Sequence, residues 1–162
     1  MDSMTGLGVV DREDGRGGVM AARLGGMFTP QQLDAAIDRA GRRSEGVIAW
    51  FLAAPANSAG DPASAALELL VEFFVPPHLI ESFAAALDSA LMRASQEYAR
   101  ARRMGLFGAP VIRVVHAGTF HQWRIVFRKT DEALRTARWS PDRQVLDSVL
   151  HQSQVGWSEF LG

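Results

Sequence analysis

Three segments of the chain carry the hydrophobic pattern of β-strands. Residues 45–54 form a dense apolar run with β-branched and aromatic members, short enough for a buried strand. Residues 67–75 alternate between apolar residues on one face and a second face that holds two glutamates, which is the period of a strand with two different faces. Residues 111–115 (VIRVV) predict a third strand, which ends at a His-Ala-Gly turn.

Helical spacing fills the intervals between these strands. Apolar residues recur at steps of three and four over 31–40, directly after a Thr-Pro pair that suits a helix N-cap and first turn. The longest helical pattern covers 78–103, and further helices are predicted over 120–134 and from about 140 to 150. Helices packed on one small, mostly antiparallel sheet make the predicted fold class α+β.

The chain of 162 residues predicts a single core. Residues 1–18 are rich in glycine and charge, so we expect a flexible N-terminal arm before one domain over 19–162. A short strand over 19–24 is expected at the start of that domain.

Composition excludes several classes of protein. Seventeen basic and eighteen acidic residues give a net charge of −1, too balanced to hold a nucleic acid by charge alone. With no cysteine, the chain has no disulfide scaffold, thiolate nucleophile or iron–sulfur cluster. Its longest apolar run, 47–56, is too short for a membrane span, and the first residues lack a secretory signal pattern. We therefore expect a cytoplasmic protein.

Candidate acid–base chemistry lies at the end of the third predicted strand. His116 and His121 flank a Gly-Thr-Phe turn, and Arg124 follows one helical turn later. Histidines near their ordinary pKa can move protons, and an arginine can hold a carboxylate or phosphate. The alternative is that all three are exposed turn and helix residues. No carboxylate follows at ligand spacing, so no metal is expected.

Other polar residues admit a structural and a functional interpretation. Glu72 and Tyr98 are candidates to complete a catalytic set with the two histidines, but Glu68 and Glu72 would instead form ion pairs with Arg113 if their strands are neighbours. An arginine cluster at 100–103 is either a solvated helix end or a docking patch for an acidic carrier protein.

Four segments together resemble the C-terminal domain of the Gretchen Hagen family of acyl-acid amido synthetases. In chain order they are RLGGMFTPQQLDAAI, LELLVEFFVPPHLIESFAAALDSAL with the following EYARARRMGL, PVIRVVHAGTFHQW and RTARWSPDRQVLDSVL, and they span most of 19–150. The resemblance implies the small lid-like domain of an adenylate-forming enzyme. In that family a large N-terminal domain binds ATP and the acid, and the small domain moves over it. The sequence has no glycine-rich phosphate loop of its own, so no cofactor is expected.

The sequence departs from the family pattern at two places. The family's Lys-x-Pro-Arg tail motif corresponds here to residues 135–138, in which Arg135 and Arg138 frame Thr-Ala. Arginine does not replace the compact charge of lysine in a tight site, and the sole lysine, Lys129, lies a few residues earlier. Lys129, Arg135 and Arg138 are therefore the candidate substrate-binding residues. At the hinge, the family's Glu-Lys pair is replaced by Met27 and Phe28.

Two functional hypotheses follow, and both remain open from sequence alone. The first is an ATP-independent enzyme of specialised metabolism that acts on a small acyl or aminoacyl intermediate by cyclisation or condensation. The second is a binding partner that docks in trans on a separate adenylate-forming synthetase. In either case the face that packs on the large domain in the family must be covered by a ligand, a partner or a homodimer contact.

Overall fold

The computed structural model describes residues 24–56, 65–136, 138–140 and 142–161. The predicted arm over 1–18 and nearly all of the predicted strand over 19–24 lie outside these residues. Leu24, the last residue of that predicted strand, lies in helical conformation instead.

The described residues form one three-stranded sheet in the order β1-β2-β3. Its strands are β1 (Val47–Pro55), β2 (Leu67–Val75) and β3 (Val111–Val115), so both later strands have the predicted bounds. β1 and β2 are antiparallel, whereas β2 and β3 are parallel. The predicted α+β class is confirmed, but the sheet is mixed because a helical crossover returns the chain to the same end before β3.

The helices fill the crossover and the two ends of the chain. They are α1 (Pro30–Arg43), α2 (Ile80–Ala94), α3 (Gln96–Arg103), α4 (Thr119–Phe127), α5 (Asp131–Thr136) and α6 (Gln144–Leu161). The start of α1 has the predicted signals, because Thr29 caps it, Pro30 occupies its first turn and Gln32 completes a capping box.

Two helices predicted as continuous are each broken in the structure. Ser95 is extended between α2 and α3, and its hydroxyl accepts a hydrogen bond from the amide of Tyr98 at 3.1 Å, which caps α3. Arg128 has a left-handed backbone between α4 and α5. The predictions of single helices over 78–103 and 120–134 were therefore wrong, because the apolar spacing continues across both breaks. α6 also runs beyond its predicted end at Leu150.

The single hydrophobic core expected from the chain length is instead divided by the sheet into two cores. Odd-numbered residues of β2 pack in a first core with α1, α2 and α3, which includes Phe83, Leu87 and Tyr98. Leu70 of β2 packs in a second core with Phe120 and Trp123 of α4 and with residues of α5 and α6. The polar positions of β2 thus point toward α4, α5 and α6. No helix in the described part of the chain is both long and apolar enough to span a bilayer.

Candidate functional site

Glu72 holds the N-terminus of α4 against the sheet. The N-cap of this helix is Gly118, which has φ 89° and no side chain to accept a hydrogen bond. The buried Glu72 carboxylate takes that place and accepts the amide hydrogen of Phe120 at 3.0 Å. A negative charge at a helix N-terminus is favourable because the helix dipole is positive there. Glu72, a candidate catalytic residue from the sequence, therefore makes a hydrogen bond that holds α4 in place.

His121 and Arg124 are brought together on α4. The guanidinium Nη2 of Arg124 lies 2.8 Å from His121 Nδ1, and the same guanidinium forms an ion pair with Asp131 of α5. The protein thus already supplies the carboxylate that Arg124 was expected to take from a substrate. Lys129 follows the helix, is exposed, and donates its backbone amide hydrogen to the Arg124 carbonyl at 2.8 Å.

His116 lines an open groove beside β3. The groove has a volume of about 590 Å³ and is bounded on one side by residues 112–116. Leu150, Ser153 and Gln154 of α6 form the other side. The lining carries an arginine and a histidine and no carboxylate. This is the place near the predicted histidine pair where the structure offers space for a ligand.

Tyr98 lies on the other side of the sheet, in the first core. It is fully buried, and its hydroxyl donates a hydrogen bond to Asp88 Oδ1 at 2.9 Å. Burial, and secondly the Asp88 charge, raises the pKa of Tyr98 far above its ordinary value. Arg102 pairs with the same carboxylate at 2.7 Å, and hydrogen bonding to Asp88 raises the pKa of Arg102. Tyr98 is therefore separated by the sheet from Glu72.

Glu68 is the buried centre of an ion cluster whose outer members reach the surface. The predicted pair with Arg113 is present at 3.7 Å, and Arg143 lies closer, at 2.9 Å from the second carboxylate oxygen. Arg143 also bonds Asp147 at 2.8 Å. Burial by itself would lower the pKa of Arg143, but the hydrogen bonds to Glu68 and Asp147 raise it above its ordinary value. The cluster joins the start of α6 to the sheet.

The basic tail residues point in different directions. Arg135 is exposed and lies 4.0 Å from Glu132 on its own helix. Arg138 is 3.6 Å from Asp34 of α1, and its guanidinium lies 5.0 Å from the centre of the Phe51 ring, in the first core. Its carbonyl accepts the Ala53 amide hydrogen at 2.7 Å, so the tail segment is fixed to the outer edge of β1.

The predicted site residues do not form one catalytic centre. His121 and Arg124 are in contact. Glu72 and Tyr98 make hydrogen bonds within the fold, on opposite faces of the sheet. Sequence reasoning missed Asp131, although it lies seven residues after Arg124 in a predicted helix. Within the described ranges, no three histidine, aspartate or glutamate side chains are grouped closely enough to hold a metal ion.

Comparison with known proteins gives a consistent match to one domain. A family model described as the GH3 family C-terminal domain matches residues 31–143. The solved structure of the GH3.15 acyl acid amido synthetase is similar, with a TM-score of 0.58 and 17% sequence identity over 75% of this chain. The structure of AtGH3.15 acyl acid amido synthetase in complex with 2,4-DB gives a TM-score of 0.60 and 16% identity, also over 75% of this chain. No characterised protein sequence matches significantly. The match covers only 24% and 23% of the two synthetase chains.

Proposed function

This chain belongs to the GH3 family through its C-terminal domain, and from that premise we propose that it docks in trans on the large domain of an adenylate-forming acyl-acid amido synthetase. The family resemblance inferred from sequence is confirmed by the match. The chain spans about a quarter of the length of the solved synthetases, so the proposed partner is the part of a synthetase that this chain does not match.

The observation that carries the proposal is an exposed apolar surface at the C-terminal end of α4. Ile125, Val126 and Phe127 are consecutive and remain 63%, 54% and 46% exposed; we call them the α4 patch. Consecutive helical residues point about 100° apart, so the helix cannot bury all three against one neighbour. Exposure of three consecutive apolar residues to water is unfavourable in free energy unless a partner covers them.

Basic residues border the α4 patch on its C-terminal side, although Asp131 and Glu132 are also exposed on the next helix. Arg128 and Lys129 follow it directly in the chain and are exposed, and Arg135 lies on the next helix with more than half of its side chain exposed. An apolar centre with a cationic rim suits a protein contact that closes over an anionic intermediate such as an acyl adenylate. Among the candidate substrate-binding residues, the exposure of Lys129 and Arg135 supports a role in approaching the phosphate, whereas Arg138 is 3.6 Å from Asp34.

The contacts of the predicted catalytic residues within the fold support docking rather than catalysis by this chain alone. Tyr98 and Glu72 are buried in hydrogen bonds of the fold, and Arg124 is neutralised by Asp131. A general acid or base must reach a substrate proton, which these bonds prevent without local unfolding.

The test is complementation of a synthetase that lacks its own C-terminal domain. The large domain of GH3.15 is prepared alone, together with any truncated synthetase encoded beside this chain, and each is assayed for amide formation with and without added protein. We expect added wild-type protein to raise amide formation, and Ile125→Glu to remove most of that gain because a charge would be buried at the contact.

Met104→Glu is the matched control, because Met104 is equally exposed at 66% but lies at the end of α3. It should stimulate as the wild type does. Equal stimulation by Ile125→Glu and wild type would contradict the docking surface, and no stimulation of any truncated synthetase would contradict the proposed function. Gel filtration of the same samples tests the homodimer contact, which the sequence leaves open beside a ligand and a partner.

A second candidate is the ATP-independent enzyme acting on an acyl or aminoacyl intermediate. The observation in its favour is the groove beside β3, which has His116 in its lining and room for a small molecule. Turnover of aminoacyl thioesters by the protein alone, lost in His116→Ala and in His121→Ala, would support this candidate. No turnover of any thioester would contradict it.

A further inference from the structure

β3 is an edge strand among the described residues. The sheet order ends at β3, and only β2 pairs with it. The opposite edge of the sheet is partly covered, because Ala53 of β1 bridges to Trp139. Alternate residues of an edge strand point their N–H and C=O groups away from the neighbouring strand, which leaves groups that a further strand can pair with.

The groove beside β3 extends along this edge, on the side of the sheet where α6 packs. Side chains of successive strand residues point to opposite faces. Ile112 packs toward the first core, whereas Val115 lies in the second. The groove is lined by all of 112–116, so it extends along the length of the strand. With α6 as its other wall, this shape accommodates an extended chain.

The charge of the groove selects an acidic occupant. Arg113 lies at the centre of β3 with 53% of its side chain exposed. Its contact with Glu68 Oε1 is long, at 3.7 Å, whereas Arg143 lies 2.9 Å from Glu68 Oε2. A guanidinium has five N–H donors, so Arg113 retains donors for a further carboxylate. The lining itself contributes no negative charge.

The same arginine disfavours a second copy of this chain as the occupant. Antiparallel pairing of two β3 strands about their central residue would place Arg113 directly opposite Arg113 of the other copy. Like charges directly opposite each other on paired strands are destabilising. Pairing with a strand that carries an acidic residue opposite Arg113 would instead be stabilising, because the two charges attract.

We infer that the groove between β3 and α6 binds an extended acidic peptide segment of a partner protein by strand addition, with a carboxylate of the peptide on Arg113. This interaction is separate from docking through the α4 patch, and it does not depend on a synthetase as partner. The main chain of β3 would provide affinity, and Arg113 would provide the preference for an acidic residue.

The test uses short fluorescein-labelled peptides that alternate valine and threonine around one central residue, with binding followed by fluorescence anisotropy. Three peptide pools carry glutamate, glutamine or lysine as the central residue. The flanking residues vary within each pool, and in the same way in all three. We expect the glutamate pool to bind about tenfold more tightly than the glutamine pool, which is the gain from one charge-assisted contact. Arg113→Gln should abolish this preference.

Arg39→Gln is the matched control variant, because Arg39 is exposed on α1, which packs on the other face of the sheet. It should leave the preference unchanged. Circular dichroism shows whether Arg113→Gln remains folded. If it does not, Gln154→Glu replaces it as the test variant. This substitution adds a negative charge to the groove, so it should weaken binding of the glutamate pool more than binding of the other two pools.

Peptides N-methylated at alternate amides separate strand addition from side-chain binding. Loss of binding on methylation, with protection of the 111–115 amides from hydrogen exchange by the unmethylated peptide, is the expected result. Equal binding of methylated peptides, or competition by free N-acetylglutamate at similar concentration, would overturn the inference in favour of a small carboxylate ligand. A concentration-dependent dimer that protects the same amides without peptide would overturn it in favour of a second copy.

Discussion

Tyr98 is the single tyrosine of the chain, so its ionisation can be followed directly by ultraviolet absorbance of the phenolate. The side chain is fully buried, and burial is the largest cause that raises the pKa of Tyr98, with the Asp88 charge second. A folded pKa above the unfolded value of about 10 gives stability that is complete below about pH 10 and is lost as the pH rises further. We therefore expect phenolate absorbance to develop only together with alkaline unfolding.

Removal of the hydroxyl gives the matching change in stability. Tyr98 donates at 2.9 Å to Asp88, and a hydrogen bond to a charged acceptor contributes about 1.5–3 kcal/mol. In Tyr98→Phe, Asp88 keeps two hydrogen bonds from Arg102, at 3.1 and 2.7 Å, so the cost should fall near the lower limit, about 1.5 kcal/mol. Asp88→Ala leaves a buried hydroxyl and a guanidinium without that acceptor, so it should cost about 3 kcal/mol.

Urea denaturation at neutral pH measures both free energies of unfolding, and absorbance with far-ultraviolet circular dichroism follows the titration. A phenolate midpoint near pH 10 with intact secondary structure would refute the buried environment. A Tyr98→Phe protein of unchanged stability but lost activity would refute the structural role and restore the catalytic role predicted from sequence.

Three further substitutions test the packing around the two cores. Gly118→Ala should cost about 1 kcal/mol in urea denaturation, because φ 89° strains any residue with a Cβ; equal stability would contradict the left-handed turn. Glu72→Gln keeps an oxygen acceptor for Phe120 but loses the charge at the helix N-terminus, so we expect a loss of about 1 kcal/mol in urea denaturation at neutral pH; equal stability would contradict the contact between this charge and the helix dipole. Leu87→Ala should lower the free energy of unfolding by about 2–5 kcal/mol, because Leu87 is fully buried in the first core, while a loss under 1 kcal/mol would contradict its burial.

The strands were predictable because their patterns are local. The alternation over 67–75 follows directly from one face of β2 lying in the first core, and VIRVV is bounded by a proline before it and a glycine turn after it. The pair between Glu68 and Arg113 was also predictable, since neighbouring strands place such side chains within reach.

The helix breaks and the bonds of the candidate site were not predictable, because they depend on contacts distant in sequence. Ser95 ends α2 while the apolar spacing continues, and only its cap on Tyr98 reveals the break. Glu72 and Phe120 are 48 residues apart, and Arg143 is 75 residues from Glu68. The available signal was Gly118 directly before α4, since a glycine at the N-cap leaves the first amides of the helix to a partner from elsewhere.

β2 explains why the chemistry of this domain lies on its surface. Its two glutamates are the buried carboxylates nearest to the predicted histidine pair in sequence, and both point toward the second core. Glu68 is neutralised by Arg143, and Glu72 is bonded to the α4 backbone, so neither is available to move a proton without breaking the fold. Among the described residues, Arg113 on β3 and the apolar residues at the end of α4 are exposed, and they are the groups that we propose to bind partners. The structural use of these buried charges, together with the exposed Arg113 on β3 and the α4 patch, supports the proposed docking role.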